Sequence, residues 1–293
     1  MNKTLMSASV FVSSSVIPGT TVTDAIKEFV ANGITHVEWS GGHQTGPESI
    51  DDVLATASDS LASRLHNYFP PPNADFVLNL ASPDRETASL SIEHVEKALQ
   101  ISASVGAPKY GVHAGFFFDP DPAQLGRPFA NVILNDRQEA FDRFLERYLR
   151  LQELAASLDV QLYVENNVLS QANARTFNGE KALMLLDAED WHELNQAGVQ
   201  NLLLDLAHLK VSCSSLGLDY AEQAKELFGV SDYIHASEPS GTTDTNQPIV
   251  DWDGVLAPVK ELYWVNKEVT VEIYTSLQDA INSADLISSV LHS

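Results

Sequence analysis

Residues 202–208 have the sequence Leu-Leu-Leu-Asp-Leu-Ala-His, in which a short apolar run ends in a carboxylate and is followed by an imidazole. The run does not alternate with polar residues, which is typical of a strand buried on both faces of a parallel sheet. Asp205 and His208 then fall at the point where such a strand would end. Similar runs recur along the chain, so this arrangement indicates both a fold class and a place for chemistry.

Seven further short apolar runs accompany this one, and several are rich in β-branched or aromatic residues. The first of the eight could imitate a signal peptide, but serines interrupt it and favour a buried strand. The eight predicted strands are Leu5–Val12, Ile34–Trp39, Leu61–Tyr68, Tyr110–Val112, Val160–Val164, Leu202–Leu206, Tyr233–Ile234 and Val269–Ile273.

Amphipathic stretches separate these runs. Apolar residues between Phe141 and Leu158 recur every three or four positions and form one helical face, with Asn135 and Gln138 as a predicted capping box. A second stripe runs from Ile92 to Ala103 and ends before Gly106. Weaker helices are predicted at Thr23–Val30, Ala182–Leu194, Tyr220–Leu227 and Leu277–Leu291.

Strands that alternate with helices predict an α/β fold, either a single (β/α)8 TIM barrel or a doubly wound open sheet. A barrel of this kind would occupy the whole chain, residues 1–293, as one domain. No GxGxxG or GxxxxGK[ST] motif follows a predicted strand, which weakens the dinucleotide-binding and P-loop classes.

The composition excludes several partners. Forty acidic residues against 17 Lys and Arg give a formal charge of −23, which would repel nucleic acid and anionic membranes. No apolar run approaches the roughly 18 residues of a membrane span. Cys213 is the single cysteine, so the chain offers no disulfide partner and no thiolate-rich metal site. We therefore expect a cytoplasmic protein that binds neither nucleic acid nor membrane.

Side chains of the metal-ligating types follow or end six successive predicted strands. Because the carboxyl ends of barrel strands meet at one mouth, these groups should converge there. Several buried acids would repel one another unless they shared a cation. Oxygen donors dominate the set, which favours one Mn²⁺ or Mg²⁺ ion, with Co²⁺ or Zn²⁺ as alternatives. The predicted metal ligands are Glu165, Asp205, His235 and Glu272.

Other polar and aromatic residues receive structural interpretations. His36 is predicted to be hydrogen-bonded inside its strand, and Cys213 to be a small buried apolar residue. Aromatic residues near the predicted mouth loops, Trp39, Phe69 and Phe116–Phe118, either wall a sugar site or only pack. The histidines predicted to be solvated are His43, His94, His192 and His292.

From about Ser7 to Ile287 the chain resembles the xylose-isomerase-like TIM-barrel superfamily, which includes sugar isomerases, ketose 3-epimerases, inosose-type enzymes and endonuclease IV. Single motifs are loose, but their order along the chain is fairly specific. The resemblance is carried by Leu78-Asn79-Leu80-Ala81-Ser82 before a helix starting near Ser91, Gly111-Val112-His113-Ala114-Gly115, Glu165-Asn166-Asn167, Asp205-Leu206-Ala207-His208, His235-Ala236-Ser237-Glu238, Val250-Asp251-Trp252 and Val271-Glu272.

The resemblance implies roles for these positions. The predicted metal ligands match the ligands that the family shares, and Glu165 and Glu272 match the acid and base of the epimerases. His208 matches a contact to a substrate hydroxyl, and Glu238 a residue that orients the substrate. His66 and His113 match extra zinc ligands of the nuclease. The expected substrate-binding residues are His66, His113, Asn167, His208 and Glu238, of which His66, His208 and Glu238 contact either the substrate or a second metal ion.

The expected reaction is isomerisation or epimerisation of a sugar or sugar derivative. A metal that bridges a carbonyl and its neighbouring hydroxyl acidifies the C–H bond between them and stabilises an ene-diolate. One carboxylate removes the proton and a second returns it elsewhere. A metal-assisted hydride shift is the family's other route, and a dehydratase would use the same groups. The sequence separates none of these three.

Two departures from the family patterns limit the assignment. Gly241 occupies the position where the 3-epimerases carry an Arg that orients substrate. The segment from Glu238 to Trp252 lacks the Asp-x-His pair of the nuclease, which makes a metal-dependent phosphodiesterase the weaker alternative. A non-catalytic sugar-binding barrel is the other. Few Lys or Arg residues lie near the site, with Lys210 and Arg175 as the nearest candidates, so an unphosphorylated sugar is slightly favoured. A homo-oligomer is possible.

Overall fold

A computed structural model describes residues 9–130 and 132–291 of the chain, and it contains a closed barrel of eight parallel strands. Around the barrel the strand order is β1-β10-β7-β6-β5-β4-β3-β2, and β8 and β9 form a separate antiparallel hairpin. The single TIM barrel is thereby confirmed and the open sheet excluded. The described strands are β1 (Ser9–Ser13), β2 (His36–Trp39), β3 (Ala62–His66), β4 (Lys109–His113), β5 (Gln161–Glu165), β6 (Leu202–Asp205), β7 (Tyr233–Ala236), β8 (Glu238–Ser240), β9 (Thr243–Gln247) and β10 (Glu268–Val271).

The helices pack on the outside of this barrel. Two short 3-10 turns cover Ser14–Val16 and Pro122–Gln124. No helix in residues 9–130 and 132–291 is both long and apolar enough to cross a bilayer. The described helices are α1 (Val22–Ala31), α2 (Ile50–Ala57), α3 (Arg85–Ser104), α4 (Arg137–Ser157), α5 (Gln171–Thr176), α6 (Ala188–Gln196), α7 (Leu206–Leu216), α8 (Tyr220–Val230) and α9 (Leu277–Leu291).

Several predicted boundaries were wrong, and side-chain caps explain two of them. Helix α4 is capped by Asp136, whose carboxylate accepts from the Glu139 amide, rather than by Asn135. Helix α3 begins at Arg85, well before Ser91, because Asp84 caps it by accepting from the Thr87 amide. Residues 182–187 of the predicted helix Ala182–Leu194 lie outside α6. Residues 5–8 of the first predicted strand, and His292, lie outside the described residues.

Two predicted solvated histidines are in fact buried. His43 is 6% exposed and lies 3.3 Å from the Thr20 carbonyl oxygen, and His94 is 8% exposed with Nε2 2.9 Å from the Asn67 carbonyl oxygen. His94 faces inward because it lies three positions after the buried Ser91 and next to the buried Val95, on the buried face of α3. His192 is exposed as predicted and contacts Glu226.

The aromatic residues near the mouth loops pack rather than line an open wall. Phe118 lies 5.0 Å from Phe129 and 5.5 Å from Phe177 between ring centroids, in an apolar cluster formed by the loops after β4 and β5. Trp39 and Phe69 are fully buried in the main core. Cys213 is buried there too, as predicted. The fold therefore uses these rings to hold the mouth loops in place.

The interior of the barrel is unusually polar. Arg64 is 1% exposed, and its guanidinium carbon lies 3.8 Å from the Phe11 ring and 4.3 Å from the Tyr233 ring. Its charge is matched by Glu268, 2.6 Å away, which also contacts Lys109 at 2.8 Å. Burial acts to raise the pKa of Glu268, but Arg64 and Lys109 outweigh it and lower the pKa. Charged residues inside the barrel are thus paired, as burial requires.

Gly111 in β4 makes room for this interior. A Cβ atom at Gly111 would lie 2.7 Å from Leu203 Cδ2 and 3.1 Å from His66 Cδ2. Neither neighbour can retreat easily, because Leu203 is fully buried and His66 is held at the barrel mouth. The glycine therefore permits the close packing beside His66.

We predict that Gly111→Ala destabilises the protein by about 1–3 kcal/mol, because the added methyl overpacks the barrel interior. The matched control is Gly229→Ala on the exposed side of α8, where nothing lies within 4 Å of the new atom. That change should be neutral or stabilising by up to about 1 kcal/mol. Urea unfolding measures both, and a G111A protein as stable as the wild type would contradict the packing argument.

Candidate metal centre

Four side chains from four consecutive barrel strands meet at the carboxyl end of the barrel. Glu165 ends β5, Asp205 ends β6, His235 lies in β7 and Glu272 follows β10. One ligating atom from each lies within 4.8 Å of the others. Three of the residues have no exposed surface and Glu272 is 7% exposed. The structure thus brings together the four residues that the sequence predicted as metal ligands.

The distances within this cluster suit a shared cation. His235 Nδ1 lies 3.3 Å from Glu165 Oε1, 3.4 Å from Glu272 Oε2 and 3.9 Å from Asp205 Oδ2. Two ligands at about 2.1 Å from one ion, separated by roughly 90–110°, would be about 3.0–3.4 Å apart. The observed distances are equal to or slightly wider than these values, so a modest contraction would complete the coordination.

The same atoms lack other partners. Among the described residues, Glu165 Oε1, Asp205 Oδ2 and His235 Nδ1 are buried and make no hydrogen bond. A buried polar atom without a partner costs roughly 1–3 kcal/mol. Because these unpartnered atoms all face one point, the residues present fit a divalent ion.

Local hydrogen bonds explain how Asp205 is aimed. Its Oδ1 accepts from the His208 amide at 2.7 Å and so caps α7, which leaves Oδ2 facing the cluster. Asn166, the residue after Glu165, bonds both to the Asp205 amide at 2.7 Å and to its carbonyl oxygen at 3.0 Å. Asn166 therefore ties the ends of β5 and β6 together, a role that its place in the sequence motif did not reveal.

His66 and His113 form a second possible ligating group with Glu165. Their Nε2 atoms lie 2.7 Å and 3.4 Å from Glu165 Oε2, the oxygen that points away from the first group. One ligating atom from each of the three residues lies within 4.8 Å of the others. Glu165 thus stands between two clusters, with one oxygen toward each.

His208 lies beside these groups at the mouth. Its Nδ1 is 2.9 Å from the Asn166 carbonyl oxygen, its Nε2 is 3.3 Å from Asp244 Oδ2, and its ring stacks on His113 at 5.5 Å. Asp244, in β9, was not singled out from the sequence. Its only sequence signal was an acidic residue in the polar segment after Glu238.

Asn167 and Glu238 have their polar atoms engaged elsewhere. Asn167 is 4% exposed, and its amide donates to the carbonyl oxygens of Ala114 and Met184 at 2.9 Å. Glu238 accepts from the Val255 backbone amide and lies 3.2 Å from Lys210 Nζ. These contacts hold loops together, and neither residue belongs to the ligating groups.

Burial and neighbouring charges shift the pKa values of Glu165 and Asp205 in opposite directions. Burial acts to raise the pKa of Glu165, but the charges of His113, His66 and His235 outweigh it and hold this pKa well below its usual range. Burial raises the pKa of Asp205 to about 6, with Asp244 and Glu165 adding to the rise and His208 opposing it. Without a cation, the cluster therefore resists ionisation at Asp205.

We predict that Asp205→Asn stabilises the metal-free protein near pH 7. A folded pKa raised above the ordinary value contributes stability that is present below about pH 4 and lost as pH rises through about 6. The D205N protein does not lose stability in this way, because its amide does not ionise, and the amide oxygen can still cap α7. It should exceed the wild type by on the order of 1–3 kcal/mol near pH 7, with a smaller difference near pH 5.

Urea unfolding in a chelator at both pH values measures this difference. Asp219→Asn is the matched control, since Asp219 also caps a helix, α8, but is exposed. It should change stability by less than about 0.5 kcal/mol at either pH. A D205N protein less stable than the wild type near pH 7 would show that the acids of the cluster do not oppose one another.

Comparison with known proteins identifies relatives of this fold and site. Residues 24–289 match the family model described as the xylose isomerase-like TIM barrel. A D-tagatose 3-epimerase-like protein superposes with a TM-score of 0.69 at 16% identity, covering 97% of both chains. An L-ribulose 3-epimerase gives 0.65 at 15% identity, covering 92% of this chain and 82% of its own.

The 3-keto-D-glucoside 4-epimerase of E. coli gives a TM-score of 0.61 at 10% identity, covering 98% of this chain and 100% of its own. A search of curated proteins found no significant match. At these identities the structural likenesses establish a common fold. The family model covers most of the chain, and the chain therefore belongs to the xylose isomerase-like TIM-barrel family.

Proposed function

We propose that this protein is a divalent-metal-dependent isomerase or epimerase of a sugar or sugar derivative. The observation that carries the proposal is the buried group of Glu165, Asp205, His235 and Glu272, whose ligating atoms lie within 4.8 Å of one another. Three of the four residues offer an atom there that makes no hydrogen bond among the described residues. Barrel enzymes place their chemistry at this end. The related folds named as sugar epimerases support the substrate class.

The donor set favours Mn²⁺ or Mg²⁺, because three of its four residues offer carboxylate oxygens and one offers an imidazole nitrogen. Co²⁺ and Zn²⁺ also accept this set. When bound, such an ion would polarise a substrate carbonyl and stabilise the negative charge that develops when a neighbouring C–H bond breaks.

Glu165 and Glu272 are the proposed acid and base. Each directs one oxygen to the cluster and the other to a hydrogen-bonding partner, which is His66 Nε2 at 2.7 Å for Glu165 and the Tyr274 hydroxyl at 3.0 Å for Glu272. These partners hold the two carboxylates in defined orientations at the edge of the site. A carboxylate that is positioned beside the substrate carbon removes the proton, and the other returns it.

His113 and His208 are the proposed contacts to substrate hydroxyls. The His113 side chain retains 25% of its exposure, so it faces the mouth while the metal-ligating acids lie deeper. The stacking of the two rings keeps their polar edges fixed relative to one another. Imidazoles both donate and accept hydrogen bonds, which suits a polyol.

The charges near the mouth favour a substrate without phosphate. Lys210 already contacts Glu238 at 3.2 Å, and the Arg175 side chain donates to Gln171 at 3.0 Å. Gly241, at the position of the orienting Arg in the 3-epimerases, lies in the β8–β9 turn with φ of +63°, a conformation that favours glycine. We therefore propose that polar contacts around the site, rather than an arginine at this position, orient the sugar.

Glu165→Gln should lower the rate of substrate interconversion by about 10²–10⁴-fold, because it removes both a proton acceptor and a ligand charge. The measurement uses protein stripped of metal and reloaded with Mn²⁺, with a panel of ketoses and keto-glycosides followed by NMR in D₂O. Deuterium in the product indicates proton transfer, and interconversion without deuterium indicates a hydride shift.

Glu153→Gln is the matched control, since it removes an exposed carboxylate of α4 far along the helix from the barrel mouth. It should leave the rate unchanged. A wild-type protein that retains none of the four metals, or an E165Q protein with full activity, would overturn the proposal. Sugar binding without any interconversion would support a non-catalytic sugar-binding barrel instead.

The group of His66, His113 and Glu165 favours a metal-dependent phosphodiesterase as a second candidate, because a second ion there would suit phosphate-ester cleavage. Against it stand the charge of −23 and the residue Asn246 two positions after Asp244, where the nuclease pattern requires His. Incubation of the Zn²⁺-loaded protein with an abasic-site DNA duplex tests this candidate. We expect no cleavage, and strand cleavage that E165Q abolishes would reverse the ranking.

A further inference from the structure

We propose that Glu38 of β2 is a positioning residue that orients the His235 imidazole toward the metal centre. This inference rests on the proposed metal site and adds a residue outside its ligands. Glu38 is the third residue of β2, lies between the buried residues Val37 and Trp39, and has no exposed surface. Burying a carboxylate is costly unless other groups pair with it. The groups that pair with Glu38 therefore indicate its role.

The first partner is His235 itself. Glu38 Oε1 lies 2.8 Å from Nε2, the ring nitrogen on the opposite side from the metal-facing Nδ1. The contact is short but lies off the ideal hydrogen-bond direction, and neither atom has a hydrogen bond to any other described residue. Each of these two buried atoms is therefore the nearest polar partner that offsets the other's loss of hydration.

The second oxygen of Glu38 is anchored from two other strands. Glu38 Oε2 accepts from the Tyr233 hydroxyl and, at 2.6 Å, from the Thr270 hydroxyl. Tyr233 is itself fixed, because its ring lies 4.3 Å from the Arg64 guanidinium carbon. The Glu38 carboxylate is thus held through Oε2 by residues of β7 and β10, which leaves Oε1 directed at His235.

A carboxylate at Nε2 has a defined chemical effect. A neutral imidazole carries one N–H, and an acceptor at Nε2 favours placing it there, which leaves the Nδ1 lone pair for a metal ion. Partners of this kind hold the ring orientation and raise its basicity as a ligand, and their loss typically costs about 10- to 100-fold in metal affinity. Glu38 has the geometry for this role, because it contacts His235 and is not one of the four residues of the ligating group.

Glu38 could instead be a ligand, because one atom each of Glu38, His66 and His235 lie within 4.8 Å of one another. Two observations favour positioning. Glu38 Oε1 is 3.9 Å from His66 Nδ1, whereas His66 Nε2 is already committed to Glu165 at 2.7 Å. In addition, two hydroxyl donors occupy the other Glu38 oxygen. Metal stoichiometry separates the two roles.

The test compares Glu38→Gln and Tyr233→Phe with Tyr163→Phe. Y233F removes a hydroxyl from Glu38 but keeps the ring beside Arg64, so it serves if E38Q folds poorly. Y163F is the matched control: Tyr163 occupies the same interior layer, 5.2 Å from Tyr233 between ring centroids, but its hydroxyl bonds Asp232 at 2.9 Å. Mn²⁺ titration of the stripped proteins measures affinity and stoichiometry, and ¹⁵N NMR of the His235 ring in protein loaded with diamagnetic Mg²⁺ or Zn²⁺ reports its tautomer.

We expect E38Q to lower Mn²⁺ affinity by about 10- to 100-fold with unchanged stoichiometry, and Y233F to lower it by a smaller factor. The His235 tautomer signal should shift in both, while Y163F should match the wild type in affinity and tautomer even if it is less stable. Unchanged Mn²⁺ affinity in both E38Q and Y233F would overturn the inference, as would the loss of one equivalent of ion in E38Q.

The outcome is distinct from failure of the proposed function. If the wild-type protein binds no divalent ion, the metal centre itself is wrong. If it binds an ion and interconverts sugars while E38Q and Y233F bind as tightly, only the role of Glu38 is wrong.

Discussion

The convergence of three buried carboxylates on the His235 imidazole at the barrel mouth is the constraint on which the rest of the site depends. Glu165, Asp205 and Glu272 come from strands that the closed barrel forces together, and burial removes the water that would screen them. His235 lies within 4 Å of an oxygen of each acid and is the group that the three carboxylates share. The unpartnered atoms that remain are the ones a divalent cation would satisfy.

The polar interior below the site is a consequence of the same arrangement. In most TIM barrels bulky apolar residues fill the interior layers, whereas here Glu38, Arg64 and Glu268 occupy them. Arg64 packs between two aromatic rings and pairs with Glu268, and Glu38 connects the Tyr233 layer to His235. Hydrogen-bonded groups in the barrel interior thus hold the proposed ligand His235 in place. Apolar packing outside the strands supplies most of the hydrophobic core.

Much of the site followed from one regularity, the presence of ligand-type residues at the ends of apolar runs. Glu165, Asp205, His235 and Glu272 were all predicted in this way, and so were the neighbours His66 and His113. Glu38 escaped the same reasoning because it lies within its strand rather than at the end. The available signal was a carboxylate between Val37 and Trp39 in a predicted strand, and only the tertiary structure shows that this carboxylate points into the barrel.

Hydrogen bonds to backbone groups are the contacts that the sequence analysis did not predict. Asn167 and Glu238 stay predictions as substrate contacts, and the sequence did not reveal that their polar atoms also bind loop backbone or Lys210. Asp136 rather than Asn135 caps α4. Both residue types can cap a helix, so the sequence alone does not tell which of the two adjacent positions is the cap. Patterns of residue type do not distinguish such competing partners.

The order of residues along the chain predicted strands that alternate with helices, and it predicted three acids and one imidazole at strand ends as metal ligands, whereas closure of the sheet into a barrel was decided by the tertiary structure. Both predictions follow from periodicity, which is a local property of the polypeptide. The fold alone determined which oxygen of Glu165 faces which histidine, that Asp244 reaches His208, and that Glu38 stands behind His235. These contacts join residues up to 197 positions apart, because barrel closure places β2 and β7 on opposite sides of one narrow interior that their side chains must share.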